Sequence, residues 1–205
     1  MARICIFGDS IAKGHNDYKN GGWATLLGNR LERECNDLST YNLSISGDTS
    51  QNILNRFEIE AKLRNPVGIL FAYGINDAAI NIKSGKTQIN LKKFEENTQK
   101  LINICRKYSY KAMFLGPTSI NQQLLNPVPW IPDTKYGLEK IEKYHTRLKT
   151  ICKNREEYFI PLIKLLSNSD LDDGVHPNSQ GHKKIFKNIY SFLKDNDLIS
   201  KLDEN

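Results

Sequence analysis

Val67-Gly68-Ile69-Leu70-Phe71-Ala72-Tyr73, followed at once by Gly74-Ile75-Asn76-Asp77, is the longest strongly apolar run in the chain and ends abruptly in polar residues. It is far short of the roughly 18 residues a membrane span needs, and a near-continuous apolar run of this length suits a strand covered on both faces. Such a strand requires helices above and below it, and the flanking sequence has them, with helical spacing over 49–63 before it and 91–108 after it.

The same alternation extends outward in both directions. A strand over 3–7 precedes a helix over 23–35, and a strand over 40–45 precedes the helix at 49–63. Downstream come a strand over 111–115, a loop over 116–137, a helix from about 136 to 153, a weak strand over 158–161 and a helix over 179–195. Strand and helix in turn imply right-handed crossovers, hence a mostly parallel five-stranded sheet in a three-layer α/β/α sandwich of flavodoxin-like kind. No 20- to 50-residue repeat and no Gly/Ser linker interrupts the pattern, so residues 1–205 read as a single domain.

Composition narrows the function classes. The chain has 205 residues, 39% of them apolar, and 29 Lys+Arg against 23 Asp+Glu for a net charge of +6. Basic residues alternate with acidic ones along helical segments, as at 92–96 and 139–143, which describes a solvated face rather than a nucleic-acid surface. Cys5, Cys35, Cys105 and Cys152 are widely spaced without a CxxC pair, so they read as reduced thiols. With no signal peptide ahead of the first strand and no transmembrane segment, the expected location is cytoplasmic.

In an open parallel sheet the ligand sits beyond the carboxyl ends of the strands. Three polar clusters fall there: Gly8-Asp9-Ser10, Ser46-Gly47-Asp48 and Gly74-Ile75-Asn76-Asp77. A fourth, Asp172-Asp173-Gly174-Val175-His176-Pro177-Asn178, lies just ahead of the last helix. Each has an ordinary reading as a turn or a helix cap: Ser10 as an N-cap, Gly47 as a tight turn before a helix capped by Asp48 or Thr49, Asn76 as an Asx-turn, and Asp173 as the cap of the last helix. Together they have a joint one. A serine hydroxyl is a poor nucleophile until a base takes its proton and a third group fixes that base in one tautomer. Asp173 and His176, three residues apart on a turn, suit that task, and Gly47 N–H, the Asn76 amide and Ser10 N–H suit an oxyanion.

Gly8-Asp9-Ser10-Ile11 with Gly14, then Gly47, then Gly74-Ile75-Asn76-Asp77, then Asp173 to His176 resemble the four blocks of the GDSL/SGNH hydrolases in order and spacing. The resemblance runs over nearly the whole chain. It implies Ser10 as nucleophile, His176 as general base, Asp173 as its orienter, and Ser10, Gly47 and Asn76 as oxyanion donors. It implies no metal and no cofactor, and a small-molecule substrate: a short-chain ester, lysolipid, thioester or acetylated sugar. Ile75 departs from the small or hydroxyl residue more usual there and is expected to narrow the pocket. The absence of GxSxG separates the chain from the α/β-hydrolase elbow.

For specificity the loop over 116–137 is the expected source, with Leu125 and Trp130 walling a substrate pocket beside Ile75. His15, His145 and His182 show no ligand spacing and read as surface or supporting residues. Two other readings stay open: a divalent-metal phosphoesterase built on Asp9, Asp48 and Asp77, and a non-catalytic binding module of the same fold.

Overall fold

The run Arg3 to Phe7 becomes a central strand because it has apolar side chains for both faces: Ile4, Cys5, Ile6 and Phe7 are all buried. In the computed structural model, which describes residues 1–35 and 37–203, the chain runs β1 (Ala2–Gly8), α1 (Ser10–Lys13), α2 (Gly22–Glu34), β2 (Leu38–Asn42), α3 (Ser50–Arg64) and β3 (Gly68–Ala72). It continues with β4 (Ile80–Asn81), α4 (Leu91–Lys107), β5 (Lys111–Leu115), β6 (Thr134–Lys135), α5 (Leu138–Asn154), β7 (Tyr158–Ile160), α6 (Ser179–Asp195) and α7 (Leu198–Asp203). Among the described residues no helix is long and apolar enough to cross a membrane.

Five strands form one parallel sheet in the order β2-β1-β3-β5-β7. Helices α2 and α6 pack on one another, while α3, α4 and α5 pack in series as a second set, giving the expected α/β/α sandwich. The strand order reverses between β1 and β3, so the loops leaving those two strands diverge and open a crevice between them. The core beneath it is aromatic: Phe7 meets Phe57 edge-on at 5.1 Å, and Phe71 stacks on Phe114 at 5.0 Å. Phe57 carries α3 onto the sheet, and its truncation to alanine would cost about 3–5 kcal/mol.

Helix caps set the boundaries that position the site. Asp9 caps α1 by accepting from Ile11 N–H at 2.9 Å, Thr49 caps α3 through a capping box with Asn52, and Asn178 caps α6 through Gln180 and Gly181 N–H. Thus the last helix takes its cap from Asn178, and neither Ser10 nor Asp173 serves as one.

The structure shifts some expectations. Strand β2 starts at Leu38 because it pairs in register with Ala2, yet Leu43 N–H and Ile45 N–H still donate to Ile6 and Gly8 carbonyls, so the backbone tracks β1 as far as the expected end. The loop over 116–137 is not structureless: it holds a 3₁₀ turn at Gln122–Leu124 and β6, which pairs antiparallel with β4. Helix α5 begins at Leu138, two residues after the expected start, which leaves Tyr136 outside it.

Candidate active site

Ser10 is the first residue of α1, at the carboxyl end of β1. That helix lies unusually close to the sheet, because a Cβ on Gly8 would stand 2.6 Å from Ala12 Cβ and 2.7 Å from the Ala72 carbonyl oxygen. Glycine at this position therefore lets the serine turn sit over the crevice. Ser10 Oγ lies 2.8 Å from His176 Nε2, and His176 Nδ1 lies 2.7 Å from Asp173 Oδ2. The other carboxylate oxygen, Asp173 Oδ1, accepts from Val175 N–H at 3.1 Å and His176 N–H at 2.8 Å. Residues 166 positions apart in sequence are thus joined in one hydrogen-bonded series.

The electrostatics suit a fixed carboxylate. Burial pushes the Asp173 carboxyl up, but the His176 ring and the two backbone N–H groups together outweigh it and hold the acid at about 2. It is ionised throughout the neutral range and accepts the Nδ1 proton, so Nε2 presents a lone pair to Ser10.

Gly47 is exposed, with φ of +85°, and a Cβ there would meet nothing within 4 Å. The glycine serves a backbone conformation that L side chains rarely adopt, beside open space. Its turn is clamped by the next residue, since Asp48 Oδ2 accepts from Arg56 Nε at 3.0 Å and Nη2 at 2.7 Å. Across the crevice, Asn76 Nδ2 donates to the Asp48 carbonyl at 3.0 Å. Ser10, Gly47, Ile75, Asn76, Trp130 and His176 all line one open cleft of about 550 Å³. A groove of about 610 Å³ between α4 and α5 is slightly larger, but it is lined by the likes of Glu95, Lys143 and Arg147 and holds no serine or histidine.

Not every expected site residue arrives there. Leu125 does not wall the cleft: it is fully buried, packed beneath Gly174, because the stretch that carries it folds inward under the Asp173 turn. Trp130 does line the cleft, about half exposed, with its ring centroid 5.7 Å from that of His176. Ile75 is buried and lines both the cleft and a void of about 20 Å³ behind it, where Asp9, Trp23 and Thr118 also stand.

Several cleft residues carry no signal in the sequence. His15 packs on His176 with ring centroids 4.3 Å apart. Burial and then the neighbouring His176 lower its pKa, which favours a neutral ring. Ligand atoms of His15, Asp173 and His176 fall within 4.8 Å of one another, but both nitrogens of His176 are already engaged by Asp173 and Ser10. Ile131 and Tyr136 complete the wall. His182 and His145 are buried rather than on the surface: His182 accepts from Trp23 N–H and donates to the His15 carbonyl, and His145 packs over Gly116.

The three carboxylates that suggested a metal site serve separate structural partners. Asp9 caps α1, Asp48 pairs with Arg56, and Asp77 accepts from both Ser50 N–H and Ser50 Oγ. Burial pushes Asp9 up to about 6 and Asp77 up to about 7.

Fold and site together define a class, a parallel α/β/α protein with a serine, a histidine and a carboxylate in series at its strand ends. Residues 6–184 match the GDSL-like lipase/acylhydrolase family. The chain belongs to that family and is a carboxylic ester hydrolase. It is 28% identical to the isoamyl acetate-hydrolyzing esterase 1 homolog of Mus musculus over 203 residues, covering 93% of this chain and 81% of that protein. The Rattus norvegicus homolog is 30% identical over 105 residues, covering 51% of this chain and 41% of that protein. The crystal structure of the lipase/acylhydrolase from Enterococcus faecalis superposes with a TM-score of 0.77 at 20% identity, covering 96% of this chain and 97% of that one.

Proposed function

We propose that the chain hydrolyses small carboxylic esters with short acyl groups through an acyl-enzyme on Ser10. The observation that carries this reading is the unbroken series Ser10 Oγ, His176 Nε2, His176 Nδ1, Asp173 Oδ2, with links of 2.8 and 2.7 Å. Ser10 Oγ attacks the ester carbonyl as His176 takes its proton, and Asp173 stabilises the imidazolium that forms. Negative charge develops on the carbonyl oxygen, where Ser10 N–H, Gly47 N–H and Asn76 Nδ2 are the donors. His176 returns the proton to the leaving alcohol. It then deprotonates a water that attacks the acyl group, and passes that proton to Ser10 Oγ as the Oγ–acyl bond breaks and the carboxylic acid leaves.

Two features support a short acyl group. Ile75 is buried and shared between the cleft and a neighbouring pocket with room for only about one water, which leaves little space past it for a longer acyl chain. The open side, walled by Trp130 and Ile131, suits a larger apolar alcohol. Relatives named for hydrolysing isoamyl acetate fit the same division. The buried thiols Cys5, Cys105 and Cys152, none in a disulfide, support a reducing compartment such as the cytoplasm.

The test is intact-protein mass spectrometry after a fluorophosphonate probe, wild type beside Ser10→Ala, followed by p-nitrophenyl esters from acetate to long chains. One adduct, lost in the variant, with rates falling beyond short acyl groups is the expected result. Labelling that persists in folded Ser10→Ala removes Ser10 as nucleophile, and a maximum at long chains removes the short-acyl assignment.

A further inference from the structure

Asn76 is held at both ends of its amide. Nδ2 donates to the Asp48 carbonyl at 3.0 Å, and Oδ1 accepts from the Tyr136 hydroxyl at 2.9 Å. A carbonyl oxygen only accepts, so the side of the amide that faces Asp48 must be the nitrogen. One of its two hydrogens is used there, and the other is left for the cleft. Reversing the amide would set Oδ1 against the Asp48 oxygen and leave two acceptors face to face. Tyr136 completes the arrangement from the opposite side by donating to the oxygen, and its ring is almost wholly buried. Burial raises the Tyr136 pKa, which keeps its hydroxyl protonated and a donor at any working pH.

The chain goes to some length to deliver this hydroxyl. Tyr136 follows β6 directly, and β6 pairs with β4, only a few residues beyond Asn76. The two-residue sheet therefore staples the long loop from β5 onto the segment that carries Asn76. Tyr136 N–H donates to the Leu125 carbonyl at 3.1 Å, which ties it to the buried part of the same loop.

We infer that Tyr136 is a positioning residue for the oxyanion site: its hydroxyl fixes the orientation of the Asn76 amide and polarises the N–H that Asn76 turns to the substrate. A donor on the amide oxygen draws electron density from the nitrogen and strengthens its remaining hydrogen as a donor. The benefit is realised when charge builds on the carbonyl oxygen, so it falls on kcat rather than on substrate binding. This inference rests on the proposed role of Asn76 as an oxyanion donor.

A double-mutant cycle separates the two. Tyr136→Phe, Asn76→Ala and the double variant are assayed with p-nitrophenyl acetate, with melting curves alongside; the phenylalanine ring keeps the packing of the tyrosine. Asn76→Ala is expected to lower kcat by about 100- to 1,000-fold. Tyr136→Phe is expected to lower kcat about tenfold with KM within twofold, and to slow phosphonylation by the fluorophosphonate probe in step, because the phosphonyl oxygen occupies the same donors. In the Asn76→Ala background the same change is expected to do nothing further. An unaltered kcat in Asn76→Ala overturns the oxyanion role itself. A large loss in Asn76→Ala with none in Tyr136→Phe overturns the inference alone, and so does a tenfold loss that persists when Asn76 is absent, since Tyr136 would then act through some other group.

Discussion

Replacing Asp173 with asparagine tests the polarity of the site with almost no change of shape. Oδ1 of Asp173 accepts from two backbone N–H groups, and Oδ2 faces His176 Nδ1. An asparagine keeps its oxygen on the two N–H donors and so turns its NH₂ toward Nδ1. Nδ1 must then accept, the ring proton moves to Nε2, and Nε2 donates to Ser10 instead of accepting from it. Restoring the productive tautomer would require the NH₂ to face the two N–H groups, losing two hydrogen bonds at roughly 1–3 kcal/mol each. That is ~2–6 kcal/mol, or about 30-fold to 20,000-fold at ~1.4 kcal/mol per factor of ten. Loss of a charge beside the imidazolium adds to it, so a fall in kcat of about 1,000-fold is expected. Initial rates with p-nitrophenyl acetate, beside a melting curve and the rate of fluorophosphonate labelling, measure it. Activity within threefold of wild type in a folded Asp173→Asn protein would refute the tautomer argument.

Three further outcomes follow from the same geometry. Ser10→Ala should remove nearly all turnover and all probe labelling while the melting temperature stays near that of wild type. Ile75→Ala should join the cleft to the void behind it, raising the butyrate-to-acetate ratio of kcat/KM roughly tenfold per methylene accommodated; an unchanged ratio would remove Ile75 as the inner wall. Asp77 has its pKa raised by burial to about 7 in the folded chain, so its stabilising effect is complete below about pH 4 and is lost as pH rises through 7. Between pH 5 and 8 the wild-type urea midpoint should therefore fall relative to that of Asp77→Asn, which keeps the contributions of Asp9 and of His15, His145 and His182, whereas Asp173, held at about 2, acts only in acid below that range. Equal slopes in the two proteins would contradict the Asp77 assignment.

The sequence by itself determined those parts whose physics is local. The apolar runs at 3–7 and 67–73 had to be buried strands, because no other short structure hides side chains on both faces, and the alternation with helices then required a parallel sheet. Ser10, Gly47, Asn76, Asp173 and His176 were legible because each stands in a short polar cluster at an element boundary, where the pattern of an apolar core is broken. Tertiary structure alone decided what meets across the fold. Strands β4 and β6 are two residues each, too short to show any period, yet their pairing draws Tyr136 out of the expected helix and onto Asn76. Leu125 and Trp130 share one loop and similar apolar character, but the loop path buries the first under Gly174 and exposes the second beside His176. His15 and Arg56 have no neighbour in sequence that signals their partners, His176 and Asp48, because contacts of this kind are set by where helices cross and strands end. Composition and spacing carry the chemistry of a residue, while only the packed chain supplies the few ångströms that bring four polar side chains and a glycine backbone to one cleft.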